Sequence, residues 1–280
     1  MAIKKIERGK LNDEEWAKLQ REPHIVDYLY SCGWESTMAE ICMGLKDGSL
    51  EKLVLEPPLR IEDVAQTVLH QMLQATDCLA THGIVHRDIK PENILYVFRQ
   101  SKYHFCLADF GLSNREDLAT TFSGTPIYMA PEILHRAKQT HKADIWSLFV
   151  TMLWTLDIKG FRQASASAQN LPQVQTEISS RIPTLRVIQD MAREDPDERA
   201  SAAQMLVKCF DGRGLVTPRN QVPPLGYPTI PDIAMPESKR SRGTKNEKSA
   251  VTGRFRIEKP LKAKQPRGRF QVQDRGDAQF

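Results

Sequence analysis

The stretch His86-Arg87-Asp88-Ile89-Lys90-Pro91-Glu92-Asn93 constrains this chain more than any other, because Asp109-Phe110-Gly111 and Ala130-Pro131-Glu132 follow it in order. At roughly one chance in twenty per fixed position, a single His-Arg-Asp-x-Lys-x-x-Asn match is already improbable in a chain of this length. Taken alone, His-Arg-Asp reads as a charged turn, and Asp-Phe-Gly as an ordinary turn with glycine in a left-handed position. Lys90, Asn93 and the later motifs remove both plain readings. The apolar run Phe105-Cys106-Leu107-Ala108 predicts a short buried strand, which sets Asp109 at a strand end.

These motifs resemble those of the eukaryotic-type Ser/Thr protein kinase family. The resemblance implies an α+β, two-lobed fold, with a small β-rich N-lobe and a mainly helical C-lobe. It also implies transfer of the γ-phosphate of ATP to protein hydroxyls. That reaction asks the protein to orient a hydroxyl, hold Mg²⁺ against the phosphates and neutralise developing charge. By resemblance Asp88 is the catalytic base, Lys90 touches the γ-phosphate, and Asn93 and Asp109 hold Mg²⁺, a hard cation that takes oxygen ligands. A lysine two residues after the aspartate favours Ser/Thr over Tyr specificity. Thr125, in Gly-Thr-Pro-x-Tyr, is expected to bond Asp88 and Lys90. Arg87 is expected to pair with a phosphate that an upstream activating kinase places on Thr121, since a phosphate can order a loop against an arginine. A solvated loop of small polar residues is the plainer reading of Thr120, Thr121 and Ser123. The resemblance gives structural roles to Asp144, supporting the backbone of the His-Arg-Asp loop from the start of a large helix, and to Arg199, pairing with Glu132. Phe149 stands where the family usually has glycine, inside an apolar run, Leu148 to Trp154, that reads as buried helix.

Toward the N-terminus, Met1 to Ile6 is similar to the strand carrying the ATP-anchoring lysine, here Lys4. A helical stretch around Trp16 would supply its partner, Glu15 or else Glu14, with Leu19 one turn on from Glu15. Pro23-His24-Ile25-Val26 resembles the exit from that helix. Ala39 to Leu50 resembles the strand and hinge of MAP kinase kinases, with Met43 as gatekeeper and Lys46 in the hinge, where backbone groups read adenine. No glycine-rich phosphate loop precedes Lys4, so the expected N-lobe is incomplete. A shortened gene product, a degenerate kinase and an enzyme that dispenses with the loop are the three explanations. The rival function is a pseudokinase acting as a scaffold or regulatory partner.

The expected division is a partial N-lobe over 1–46, a C-lobe over 47–211 and a Pro-containing basic tail over 212–280 that does not fold by itself. With 40% hydrophobic residues, 280 residues can bury the core of one two-lobed domain. Val64, Val68, Met72, Ala75 and Leu79 predict an amphipathic helix leading to the catalytic loop. Helices are expected from Ala143 to Phe210, with a polar connection over Gly160 to Pro172. From Pro236 to Phe280 there are 13 Lys and Arg against 5 Asp and Glu, a net +8, so the remainder of the chain carries +4 − 8 = −4. The basic tail reads most simply as a solvated linker. Nucleic acid is disfavoured as a partner because Phe255, Phe270 and Phe280 are too sparse to stack bases. Five scattered cysteines imply a reducing compartment. No apolar run is long enough to span a bilayer, and the expected location is cytoplasmic, with the nucleus as the alternative through Lys239-Arg240-Ser241-Arg242.

Overall fold

The computed structural model describes residues 2–7, 24–26, 28–32, 38–56, 61–115 and 124–226. Strands β1 (Ala2–Glu7), β2 (Tyr28–Cys32) and β3 (Met38–Met43) form an antiparallel sheet in the order β1-β3-β2, with Lys4 opposite Ile41. Short strand β4 (Gly48–Ser49) then leads into helix α1 (Leu50–Leu55), whose N-cap Ser49 accepts a hydrogen bond from the Lys52 amide.

Helix α2 (Ile61–Thr81) carries the predicted period, and all five residues that define it are buried. It stops at Gly83, whose φ of +66° suits a glycine just past a helix end. Strand β5 (Ile84–Val85), the hairpin β6 (Ile94–Arg99) and β7 (Lys102–Leu107), and β8 (Asn114–Arg115) flank the His-Arg-Asp loop in sequence. The small sheet is tethered to this lobe through His24 to Val26. The Val26 amide donates to the Leu107 carbonyl at 2.9 Å, and the Leu107 amide donates to the His24 carbonyl at 2.7 Å.

The core is centred on helix α4 (His141–Thr155), which follows the single turn α3 (Pro131–Leu134). Every residue from Ala143 to Leu153 is buried, so α4 is enclosed on all sides rather than amphipathic. Phe149 has no exposed surface, filling space that a glycine would leave to its neighbours. Helices α5 (Phe161–Ser167), α6 (Leu171–Ser179) and α7 (Ala202–Phe210) complete the lobe, and Ile182–Ala192 is 3₁₀ rather than α-helical.

Two expectations need correction. The polar connection over Gly160 to Pro172 contains α5, anchored by the fully buried Phe161 and by Arg162. The Arg162 guanidinium donates to the terminal carbonyls of α4 at Trp154 (2.9 Å) and Thr155 (3.1 Å). The packed chain also runs past the expected boundary after Asp211. The buried Asp77 carboxylate on α2 accepts from the Val216 amide (2.8 Å), the Thr217 amide (3.0 Å) and the Thr217 hydroxyl (2.6 Å), which straps this segment to the lobe. Among the described residues no helix is long and apolar enough to cross a membrane.

Candidate active site

The His-Arg-Asp loop lies against one polar stripe of an otherwise apolar helix. Asp144, Ser147 and Thr151 on α4 are spaced to share one face. The Asp144 carboxylate accepts from the His86 amide at 2.8 Å and from the Arg87 amide at 2.9 Å. The Ser147 hydroxyl donates to the Tyr128 carbonyl at 2.8 Å, and the Thr151 hydroxyl approaches the Ile89 carbonyl at 3.5 Å. The stripe therefore reaches both the His-Arg-Asp loop and the chain after Thr125. Asp144 is 1% exposed, and its two charge-assisted bonds satisfy backbone groups that would otherwise be buried without partners.

His86 closes the loop from the other side. Its Nε2 lies 3.0 Å from the Ala108 carbonyl, and its ring meets Phe110 edge-on at 4.8 Å. The hydroxyl of the fully buried Ser113 donates to the His86 carbonyl at 3.3 Å. Arg87 has φ +74° and is buried; burial disfavours its charged guanidinium and lowers its pKa, which Asp144 opposes.

Four donors meet the Asp88 carboxylate. The Thr125 amide (3.0 Å) and hydroxyl (2.7 Å) donate to Oδ1. The Asn93 amide nitrogen (2.9 Å) and Lys90 Nζ (2.9 Å) reach Oδ2. Lys90 Nζ also donates to Thr125 Oγ1 at 2.7 Å, and Asn93 donates to the Asp88 carbonyl at 2.8 Å. Burial alone would raise the Asp88 pKa, but hydrogen bonds from Lys90, Thr125 and Asn93 and the charge on Lys90 outweigh it and hold the carboxyl below its ordinary range. Gly124 makes this closure possible. Its φ is +121°, and a Cβ there would stand 2.4 Å from the Arg87 carbonyl oxygen.

Asp109 follows β7 with φ +66°, and its carboxylate accepts from the Gly111 amide at 3.2 Å. With the Asn93 amide nitrogen committed to Asp88, the oxygen of that side chain is its remaining ligand atom. A carboxylate at Asp109 and a carboxamide oxygen at Asn93 suit Mg²⁺, which is usually held by one or two protein oxygens while phosphate and water complete its shell.

The Glu132 carboxylate takes two bonds from Arg199, at 2.6 and 2.9 Å. Arg199 also donates to the carbonyls of Lys142, Arg193 and Glu194 and covers the Trp146 ring at 5.3 Å. Met43 packs partly buried against the core, and Lys46 is half-buried in the connection to β4. Lys4 lies on β1, opposite Ile41, whereas Glu15 and Thr121 lie outside the described residues. Sequence reasoning missed Ser113 and Thr151. A polar residue at helical spacing from Asp144, within an apolar run, was the available signal for Thr151; Ser113 carried none.

The sequence profile of the protein kinase domain matches residues 1–210, three quarters of the chain. The chain is 32% identical over 151 residues to a calcium/calmodulin-dependent protein kinase type 1 of Macrobrachium nipponense, covering 53% of this chain and 44% of that one. It is 31% identical over 226 residues to the serine/threonine-protein kinase Nek6 of Oryza sativa subsp. japonica, covering 73% and 41%. It is 27% identical over 237 residues to the serine/threonine-protein kinase ULK3 of Xenopus laevis, covering 75% and 49%. The chain thus spans less than half the length of these curated relatives.

Proposed function

The chain belongs to the protein kinase domain family, and from that premise we propose that it transfers the γ-phosphate of Mg-ATP to serine or threonine hydroxyls of proteins. The observation that carries this reading is the Asp88 carboxylate, kept ionised and aimed by Lys90, Asn93 and Thr125. The substrate hydroxyl donates to Asp88 and passes its proton there as its oxygen attacks. It enters at Oδ1 by displacing the neutral Thr125 hydroxyl, because Oδ2 is held by the charge-assisted bond from Lys90. Lys90 is placed to meet the charge gathering on the transferred group.

Asn93 and Asp109 would hold the Mg²⁺, which supplies charge neutralisation at the phosphates. The hinge around Met43 and Lys46 would hold adenine, and Lys4 the α- and β-phosphates. Arg87, beside the base, would receive a phosphate on Thr121 from an upstream kinase, and Thr121→Ala would then lower activity.

Phosphoamino-acid analysis of a protein substrate incubated with the chain and labelled ATP tests the assignment. The expected result is phosphoserine or phosphothreonine formed only with Mg²⁺ present and lost in Asp109→Asn. Undiminished transfer by Asp109→Asn, or no labelled hydroxyl amino acid at all, contradicts it and leaves a scaffold role.

A further inference from the structure

The β6–β7 hairpin separates its chemistry by face. Cross-strand pairs Tyr96 with Phe105 and Phe98 with Tyr103 put four aromatic rings on one side, whereas Val97 with His104 and Arg99 with Lys102 take the other. The Phe98 and Tyr103 rings lie 4.7 Å apart, and those of Tyr96 and Tyr103 5.6 Å apart. Phe98 is 50% exposed, and helix α1, which packs on β6, ends at Leu55, which is 56% exposed. A large aromatic left half in water on a cluster of tilted and edge-on rings marks an interaction surface more than a stability device.

Carboxylates flank that face. Asp47 accepts from the Phe98 amide at 2.7 Å, and Glu56 directly follows Leu55. Burial first, and then the charges of Glu56, Tyr103 and Asp47, raise the Tyr96 phenol above its ordinary value. The basic residues of the hairpin, Arg99 and Lys102, belong to the opposite side by the alternation of the strands. The aromatic face is thus suited to a segment that is aromatic and cationic at once.

The tail contains such a segment twice. Gly253-Arg254-Phe255-Arg256-Ile257 and Gly268-Arg269-Phe270-Gln271-Val272 share the pattern Gly-Arg-Phe-x-β-branched, within a region of net charge +8. We propose that the Tyr96, Phe98 and Tyr103 face, flanked by Asp47 and Glu56, is a docking surface for these two segments of the chain's own tail. Phe255 or Phe270 would pack on the Phe98–Tyr103 pair, with the preceding arginine directed to a flanking carboxylate. Residues 227–252 separate the packed strap from the first segment, a chain that can reach at most roughly 85 Å at about 3.3 Å per residue. That is enough to round a lobe whose radius of gyration is about 15 Å. Two copies raise the local concentration of the motif without any added contact.

Hydrogen–deuterium exchange of the full 280-residue chain tests this, comparing it with Phe255→Ala/Phe270→Ala and with Phe98→Ala. Docking predicts that peptides covering 94–105 exchange at least about threefold faster in the double tail variant, while those of α4 are unchanged. Phe98→Ala should release the 253–272 peptides to a similar extent, and added salt should do the same to both partners. Unchanged exchange in α4 shows that the tail variant keeps the lobe packed, so that variant decides the matter even if Phe98→Ala misfolds. Identical exchange over 94–105 in the double variant overturns the proposal. Protection that rises with protein concentration as a dimer forms assigns the face to a second copy and also overturns it. So does single-stranded RNA that protects the tail while the hairpin is unaffected by either tail substitution.

Discussion

Glu132 with Arg199 and Asp88 with Lys90 are both contacts between a carboxylate and a cation, in very different surroundings. Arg199 and Glu132 side chains are 0% and 4% exposed, and all five guanidinium donors are used, two on Glu132 and the others on carbonyls. Lys90 is 20% exposed and Asp88 9%, so this pair lies nearer the surface, at the carboxylate to which we assign the substrate hydroxyl. A buried charge pair is tolerable only when every polar atom is satisfied, and the first pair meets that condition. The second is less enclosed on the Lys90 side, as the chemistry assigned to it requires. One pair fixes the shape of the lobe and the other is left available to react.

Cutting the buried pair should have the largest effect. Glu132→Ala leaves the Arg199 charge enclosed without its partner and should cost about 3–5 kcal/mol in urea unfolding. Glu132→Leu combined with Arg199→Met should cost less than the single change, because no charge is then stranded. A double variant as unstable as the single one would show that the pair matters for packing more than for charge.

Next comes the brace between the two regions. Asp144→Ala strands the buried amides of His86 and Arg87, which should cost about 2–3 kcal/mol and lower phosphate transfer as well. Stability lost with activity unchanged would mean that the loop holds its shape without α4. Asp77→Ala releases the 216–217 strap and should cost about 1–2 kcal/mol, since water can replace part of what is lost. Because the strap is remote from Asp88 in sequence and contact, this change should leave transfer rates near normal.

The smallest effect is on the pH dependence of stability. The Asp88 carboxyl has a folded pKa below its ordinary value, so its contribution is complete above the unfolded pKa of about 3.9 and is lost as pH falls through the depressed folded value. Asp88→Asn should make the acid limb of the unfolding curve shallower below about pH 4 and leave neutral stability within about 1 kcal/mol. An acid limb identical to that of the parent would mean that Lys90 and Thr125 do not hold the charge.

The Asp144 brace and the Glu132–Arg199 pair were expected from the resemblance of their motifs to those of protein kinases, not from spacing or apolar surroundings alone. The helix over Ile61–Thr81 was legible from its period alone. What escaped reading depends on contacts between distant segments that leave no local pattern. Nothing around Asp77 announces that it will bind Val216 and Thr217, so the strap was assigned to the tail. No local pattern marks Ser113, yet it is fully buried against His86. Gly124 was visible as part of a motif, but the 2.4 Å approach of the Arg87 carbonyl that excludes a side chain there could not be read from either segment. Helix α5 was hidden because its seven residues hold a single large apolar anchor, Phe161, too few for a period to show.

The most direct test of the division between the two pairs is kcat and Tm measured side by side for the parent and Asp88→Asn. The expected result is a fall in kcat of about 10²–10⁴-fold with Tm within about 4 °C of the parent, since Asp88 is assigned to chemistry and not to the core. A near-parental kcat, or a drop in Tm as large as that of Glu132→Ala, would contradict the assignment.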